Sequence, residues 1–318
     1  MNVRSVCILG GSGFVGRHLV AKLAAHGIQC RVPTRHAQRH RQLAVNPGCR
    51  VYEADIFDKD QLVRLFDNCD AVINLVGILN ERKKNDFRRV HVDLVDKIST
   101  ACRQAGVKRL LHMSALNADA GSGGSLYLRT KGEGENRAHT GGKPDIAVTS
   151  FKPSVIYGAD DSFINRFAGL LNIPGPMPLA CPNTRFAPVY VEDVCNAMLN
   201  SINNRHTYGQ RYELCGPEVY SLRDIVKYIA KQLDRKKTII NLPNALAKLQ
   251  AAVLEHLPGK LFTMDNYLSL QLDSVCSRTN SNLQALGVKP THMDTVVPVF
   301  LKHGNEKQRY NQLRTVSE

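Results

Sequence analysis

A cluster of glycines near the start of the chain constrains the fold more strongly than any other feature. The cluster lies between a short apolar run at 5–9 and a stretch with helical spacing of apolar residues at 14–26. A strand, a glycine-rich turn and a helix in this order are typical of a dinucleotide-binding unit, and a simple tight turn is the alternative. The glycines permit the turn, the approach of the backbone to a pyrophosphate and the packing of helix on strand. The residues predicted to bind the dinucleotide are Gly10, Gly11, Ser12, Gly13, Phe14, Val15 and Gly16.

Strand-like and helix-like segments alternate through the first half of the chain. Strands are predicted at 29–34, 50–54, 71–76, 109–114 and 146–151, and helices at 14–26, 58–66, 86–104 and 127–139. The alternation predicts an α/β fold: a Rossmann doubly wound parallel sheet covered on both faces, with a smaller C-terminal substrate lobe. We divide the chain into a nucleotide-binding Rossmann domain (1–157), a substrate lobe interleaved with it (158–303) and a polar tail expected to be flexible (304–318).

The composition of the chain excludes several classes of protein. Of the 318 residues, 43% are hydrophobic and 22% charged, which is typical of a globular protein and not of a disordered one. No stretch reaches the roughly 18 apolar residues of a membrane span, and we expect neither a secretion signal nor a transit peptide. Nine scattered cysteines without a C-x-x-C pair predict reduced, mostly structural thiols, no metal site and a cytoplasmic location.

The net charge of +14 predicts an anionic partner. A phosphorylated cofactor, an acidic membrane surface and nucleic acid all fit a basic chain. Nucleic acid is not expected, because no motif that reads bases accompanies the charge.

The end of the second predicted strand indicates which dinucleotide is bound. An NAD site commonly presents a carboxylate there to the ribose 2′-hydroxyl, whereas this strand ends in Thr34 and Arg35. Because a guanidinium can hold a 2′-phosphate, we predict that NADP(H) is preferred and that NAD(H) is the weaker alternative. A solvated basic surface is the competing interpretation. The other predicted cofactor contacts are Asp55 and Ile56 after the third strand, and Asn74, Val76 and Gly77 after the fourth.

Both of these later groups also have a purely structural interpretation. Asp55 could instead cap a helix, and the segment 74–77 could be a plain turn.

Three residues, at the end of the fifth strand and on the helix that follows it, predict acid–base chemistry. Ser114 ends that strand, and Tyr127 and Lys131 share one face of the next helix because they are four residues apart. A nearby ammonium favours the phenolate, so the spacing predicts a lowered pKa for Tyr127. A solvated helix face is the alternative for the pair, and Ser125 is an alternative to Ser114.

These residues, taken together, resemble an atypical short-chain dehydrogenase/reductase of the NAD-dependent epimerase/dehydratase group. The amino-acid sequences of the motifs are similar to those of the branch that contains the NADPH-binding accessory subunit of mitochondrial complex I and its bacterial relatives. The similar segments are 90–92, 112–119, 127–135, 152–158 and 188–194.

The resemblance implies a role for each matching residue. It implies that Tyr127 exchanges a proton with the substrate, that Lys131 holds the nicotinamide ribose and that Ser114 steadies the substrate oxygen. Pro153 and Ser154 would line the nicotinamide end. The asparagine that many members carry on the fourth helix has no match, and His91 or Asp93 lies there instead.

Three functions fit this sequence. We favour an NADP(H)-dependent oxidoreductase that acts on a hydrophobic carbonyl or a quinone-related substrate. A non-catalytic NADPH-binding subunit or assembly factor of a respiratory complex is the alternative. A redox-sensing regulator is the function that we favour least, because such proteins are expected to have lost the tyrosine or the lysine that this chain keeps.

Two features of the second half of the chain bear on the substrate. An apolar pocket is predicted around Phe163, Phe167, Leu170 and Leu171. The amphipathic segment 239–257, which follows a basic run, could touch an anionic membrane or the inner membrane's periphery. An ordinary helix that packs on the substrate lobe, with helical spacing of Leu246, Leu249, Val253 and Leu257, is the alternative. The sequence leaves the oligomeric state open.

Overall fold

A computed structural model describes residues 2–257, 260, 262–277 and 282–301 of the chain. The predicted tail at 304–318, and Gly259 as the predicted end of a helix, lie outside these residues. No helix in the described ranges is long and apolar enough to cross a membrane.

Seven parallel strands form the central sheet, as the sequence predicts. The strands are β1 (Ser5–Leu9), β2 (Gln29–Thr34), β3 (Cys49–Glu53), β4 (Ala71–Asn74), β5 (Arg109–Met113), β6 (Ala147–Pro153) and β11 (Arg211–Leu214). Their order is β11-β6-β5-β4-β1-β2-β3, and every neighbouring pair is parallel. The chain turns from one half of the sheet to the other between β1 and β4, and ligands of such folds bind at the carboxyl ends of strands at this point.

Helices cover both faces of the sheet. One face carries α1 (Phe14–Ala25) and α7 (Val191–Ile202), and the other carries α2 (Lys59–Phe66), α4 (Leu94–Gln104) and α5 (Leu126–Gly142). Every residue of β4 and β5 is buried, as expected for strands covered on both sides.

The predicted helix at 86–104 has an irregular middle. It consists of α3 (Asp86–Arg88), a π-helical turn (Arg89–Asp93) and α4. Single π turns often occur at functional sites, and this one carries His91.

The second lobe has its own apolar core. Its helices are α6 (Ile164–Leu171), α8 (Leu222–Gln232), α9 (Asn244–Leu254) and α10 (Met264–Ser269). Its short strands are β7 (Ile156–Tyr157), β8 (Met177–Leu179), β9 (Arg185–Phe186), β10 (Val189–Tyr190), β12 (Tyr220–Ser221) and β13 (Ile239–Asn241). Ser221 and Asp224 form the predicted capping box of α8. Because α7 and β11 pack in the first lobe, the chain passes between the two; our boundary at residue 157 stays a prediction.

The cysteines depart in part from the expectation of reduced thiols. Seven are free and buried, but Cys215 and Cys276 form a disulfide. Their separation of 61 residues gives no sign of pairing in the sequence. The disulfide joins the end of β11 to the segment that follows α10.

Candidate functional site

The glycine loop has the geometry of a phosphate cradle. Gly10 adopts a φ of +80°, in the left-handed region that favours glycine. A β-carbon at Gly16 would lie 2.3 Å from the carbonyl oxygen of Gly10, so only glycine allows the helix to begin so close to the loop. The first N–H groups of α1 therefore face the carboxyl edge of the sheet, where an anion can approach the backbone closely. The residues present thus fit the pyrophosphate of a dinucleotide.

An unpaired cation follows β2 at the same edge. The Arg35 side chain is exposed, and within the described part of the chain no group forms a hydrogen bond or ion pair with its guanidinium. Thr34 ends β2 and is half-buried, and its carbonyl accepts a hydrogen bond from Ala54 N at 3.0 Å. The arrangement leaves the guanidinium free for a phosphate.

Asp55 is not a helix cap, because that position belongs to Asp58. Asp58 accepts hydrogen bonds from two N–H groups at the start of α2. Asp55 is exposed, and its Oδ1 accepts from Phe57 N at 2.9 Å. Its Oδ2 therefore remains available at the edge of the sheet, with Ile56 half-buried beside it.

Asn74 shapes the turn after β4. Its Oδ1 accepts from Val76 N at 3.1 Å, and its Nδ2 lies 3.2 Å from His112 Nδ1. The turn packs on the glycine loop, since a β-carbon at Gly10 would lie 3.1 Å from the carbonyl carbon of Leu75. Gly77 follows, within reach of the catalytic candidates.

Lys131 and Tyr127 lie together on α5, as their spacing predicts. Lys131 Nζ donates to the carbonyl of Met113 at 2.6 Å and lies 3.8 Å from the β-carbon position of Gly77. Burial lowers the pKa of Lys131 to about 8. The predicted lowering of the Tyr127 pKa is wrong: burial and the nearby Asp265 raise it to about 12. Burial and the carboxylate of Asp265 both disfavour the phenolate, so Tyr127 is a protonated donor at neutral pH.

His91 lies where many members of the family carry an asparagine, and its role here is structural. Its Nδ1 lies 3.0 Å from Thr130 Oγ1, and its Nε2 accepts from Ile78 N at 3.2 Å. Thr130 Oγ1 donates to main-chain carbonyls of α5, so the Nδ1 proton of His91 points to that hydroxyl. Burial and the charge of Lys131 lower the pKa of His91 to about 3, which keeps the ring neutral.

The rings of Phe87 and His91 form one wall beside Tyr127, with centroids 6.0 and 5.6 Å from the tyrosine ring. Because both nitrogens of His91 are occupied, it positions Tyr127 and does not relay a proton in this arrangement.

Glu135 is a residue that the sequence reasoning missed. Ser114 Oγ donates to Glu135 Oε2 at 2.6 Å, and Arg211 pairs with Glu135 Oε1 at 2.7 Å. Ser114 and Glu135 are both buried. The signal was present in the sequence, since Glu135 stands four residues after Lys131 on the same helix.

The other two serines near the site are also engaged. Ser125 caps α5 by accepting from Leu128 N at 3.1 Å, which gives this alternative to Ser114 a structural role. Pro153 ends β6, and Ser154 Oγ after it donates to the carbonyl of Ser274 at 2.7 Å. The hydroxyl of Ser154 therefore fixes the segment held by the disulfide.

The entrance to Tyr127 is apolar. The carboxylate of Asp265, on α10, accepts from the N–H groups of Leu126 and Tyr127 and so places α10 over the start of α5. Four leucines near this junction are more than a third exposed: Leu79, Leu126, Leu268 and Leu272. The apolar pocket predicted around Phe163 and Leu171 is instead part of the core of the second lobe, where both side chains pack among apolar residues.

Comparison with known proteins agrees with this geometry. Residues 10–136 match the family model described as NAD(P)H-binding. The chain is 31% identical to the mouse mitochondrial NADH dehydrogenase (ubiquinone) 1 alpha subcomplex subunit 9, over 98% of this chain and 81% of that protein. The chain belongs to this family.

More distant relatives carry other names on the same fold. The chain is 27% identical to a ceramide reductase of Caulobacter vibrioides, over 75% of this chain and 74% of that protein. A UDP-glucose 4-epimerase from Thermotoga maritima superposes with a TM-score of 0.75 at 16% identity, over 96% of this chain and 99% of that one. The family is therefore an NAD(P)H-binding branch of the short-chain dehydrogenase/reductase fold, as the sequence predicted.

Proposed function

We propose that the protein is an NADP(H)-dependent oxidoreductase that acts on a hydrophobic carbonyl or quinone-related substrate. The observation that carries the proposal is the buried ammonium of Lys131 at the carboxyl end of β5, beside Gly77, with Tyr127 one turn earlier on the same face of α5. A protonated phenol and an ammonium on one helix face at this edge suit the reduction of a carbonyl oxygen.

Each residue of the pair has a distinct task in this proposal. A bound nicotinamide cofactor would supply the hydride. Tyr127 would donate its phenolic proton to the substrate oxygen as that oxygen gains negative charge. Lys131 has three N–H donors and uses one on Met113, so the others remain for the cofactor ribose and for stabilising the tyrosinate.

The preference for NADP(H) rests on Arg35. An exposed guanidinium with no partner in the described part of the chain, and the absence of a carboxylate at the end of β2, favour a 2′-phosphate over a 2′-hydroxyl. Asp55, on the neighbouring strand end, would receive the adenine amino group.

Ser114 favours a second candidate function. Its single hydroxyl hydrogen goes to Glu135, and Ser154 donates to Ser274, so neither hydroxyl is free to hold a substrate oxygen. A subunit that binds NADPH tightly without turnover would need no such donor. The name of the mouse relative makes a respiratory complex the partner to test.

One experiment separates the two candidates. NADPH and NADH are titrated into nucleotide-free protein by nicotinamide fluorescence, and quinones and long-chain aldehydes are then added. Oxidation of NADPH that Tyr127→Phe abolishes without weakening NADPH affinity supports the oxidoreductase. Tight NADPH that no acceptor oxidises supports the non-catalytic subunit, and failure to bind either nucleotide overturns both.

A further inference from the structure

Helix α9 exposes its large apolar residues and buries its small ones. Ala247 and Ala251 are fully buried against the second lobe. On the outward side Leu246, Leu249 and Val253 are 50%, 59% and 55% exposed, and Leu257 beyond the helix is 48% exposed. We call these four residues the apolar ridge. The alternative given by the sequence, a helix that packs on the substrate lobe, holds for the side of α9 that carries the alanines, whereas the four large apolar residues face outward.

The ridge is continuous with the entrance to Tyr127. Glu255, at the end of α9, accepts from Met264 N at the start of α10. Lys260 accepts from Asn80 through its carbonyl and donates from Nζ to the carbonyl of Glu81 at 2.6 Å. These bonds join the segment after the ridge to the loop that carries Leu79. The exposed leucines at the entrance and on the ridge are thus carried by neighbouring segments of the chain.

Cations flank this apolar surface. Arg82, Lys83 and Lys84 are exposed next to Leu79, and Lys248 is exposed on α9 itself. Arg235 and Lys236 are exposed ahead of the strand that leads into the helix. Two acidic side chains nearby accept hydrogen bonds from main-chain N–H groups: Glu81 from Phe87 N, and Glu255 from Met264 N. The surface therefore combines exposed leucines with a positive border.

We propose that the apolar ridge and its basic border dock the protein onto an anionic lipid bilayer. Apolar side chains enter the boundary between headgroups and acyl chains, while lysine and arginine bind the anionic headgroups around them. A second copy of the chain is a poorer occupant, because it would bring the same cations face to face across the apolar contact. Since no described helix can span a bilayer, the contact is peripheral.

Docking has a consequence for the substrate. It places the entrance beside Tyr127 at the bilayer surface, where a substrate with a long apolar chain reaches the site without crossing water. This consequence rests on the proposed oxidoreductase function, whereas the docking does not.

The test uses the absence of tryptophan from the chain. Leu249→Trp places a single reporter on the ridge, and Val45→Trp places one on an exposed site of the first lobe, between β2 and β3, where Val45 is 83% exposed in the wild type. On phosphatidylcholine vesicles that contain phosphatidylglycerol, we expect a blue shift and quenching by brominated acyl chains for Leu249→Trp only. Little binding is expected on pure phosphatidylcholine.

Binding of tryptophan-free variants is followed by vesicle flotation. Leu249→Gln with Val253→Gln should lower the partition coefficient by about tenfold or more, since each side chain loses transfer of its exposed apolar area. Lys83→Gln with Lys84→Gln should lower it several-fold and weaken its salt dependence. The control Val45→Gln should leave it unchanged. NADPH titration of every variant, which needs no vesicles and no turnover, shows that the fold is intact.

Three results would overturn the proposal. One is the absence of flotation with anionic vesicles. Another is flotation that the ridge variant leaves unchanged, which would indicate charge attraction alone. The third is a change of oligomeric state in the ridge variant without loss of vesicle binding, which would assign the ridge to contact between copies.

Discussion

The two ends of the crevice at the carboxyl edge of the sheet differ in how their polar groups are satisfied. At the phosphate end, the first N–H groups of α1 and the guanidinium of Arg35 have no hydrogen-bond partner among the described residues. At the nicotinamide end, Ser114, Ser154 and His91 already have partners within the protein. A serine hydroxyl has one hydrogen to give, whereas an ammonium such as Lys131 has three. The phosphate end is thus ready for a ligand, and the nicotinamide end offers Tyr127 and Lys131 but no free serine donor.

The largest expected effect is at the phosphate end. Gly16→Ala places a β-carbon 2.3 Å from Gly10 O, so the loop must shift and lose its fit to a pyrophosphate. We expect NADPH affinity to fall by about 100-fold or more, from overpacking of about 1–3 kcal/mol and loss of aligned donors. Isothermal titration calorimetry measures the change. Gly169→Ala is the matched control, because nothing lies within 4 Å of its β-carbon position on α6. Equal affinity of Gly16→Ala and wild type would remove the glycine loop from the site.

A smaller and more selective effect is expected at the 2′-phosphate. Arg35→Ala should weaken NADPH by about 1–3 kcal/mol, the range for a lost hydrogen bond to a charged group, and leave NADH nearly unchanged. Competition titrations with both nucleotides give the ratio of affinities. Arg41→Ala, at another exposed arginine after β2, controls for general loss of positive charge. Equal weakening of NADH would show that Arg35 supports the fold and does not select the cofactor.

The sequence predicts the phosphate end well because its determinants are local. The strand, glycine turn and helix are contiguous, and their spacing alone fixes the backbone geometry at Gly10 and Gly16. The parallel sheet covered on both faces followed from the same alternation, whereas the order of its strands came from the structure. At this end the structure decides one open interpretation. Asp55 does not cap a helix, because Asp58, three residues later, caps α2.

The nicotinamide end could be predicted only in part because its energetics depend on burial. Spacing placed Tyr127 and Lys131 on one face, but it gave the wrong direction for the tyrosine pKa, which desolvation raises. The bond from Ser114 to Glu135 needs α5 packed on β5, and the support from Arg211 needs β11 at the sheet edge. The outward apolar ridge of α9 likewise depends on which face meets the lobe, and periodicity alone cannot determine that.

A third variant tests whether Ser114 serves the fold or the substrate. Ser114→Ala removes the hydrogen bond to the buried Glu135 carboxylate, so we expect the free energy of unfolding to fall by about 1–2 kcal/mol. Turnover with any identified substrate should change little, in contrast to Tyr127→Phe. Urea unfolding and steady-state kinetics measure the two effects. Full stability combined with a large loss in kcat would mean that the hydroxyl turns to the substrate, and the contrast between the two ends would disappear.

The smallest expected effect concerns the tie between the phosphate end and the second lobe. His18, on α1, has its two ring nitrogens 2.9 Å from Asp160 and 2.7 Å from Glu192. Two carboxylate partners fit an imidazolium, and the hydrogen bond to Glu192 is the main reason that the pKa of His18 is raised. A raised native pKa stabilises the fold fully below the unfolded value of about 6.5 and loses this effect as pH rises through the native pKa.

His18→Gln should therefore lower the free energy of unfolding by about 0.5–1 kcal/mol below pH 6.5, because the ion pairs are partly exposed. The difference from wild type should shrink as pH rises. Urea unfolding at several pH values gives this difference directly, and His256→Gln, at an exposed histidine, is the control. Burial lowers the pKa values of His91, His112 and His139, so these groups make the stability of both proteins rise with pH. The test therefore uses the difference in unfolding free energy between His18→Gln and wild type, in which their contribution cancels. A difference that stays constant with pH would show that His18 contributes packing and not charge, and would leave the ion pairs of Arg17 with Asp160 and of Lys22 with Glu192 as the charged contacts at this place.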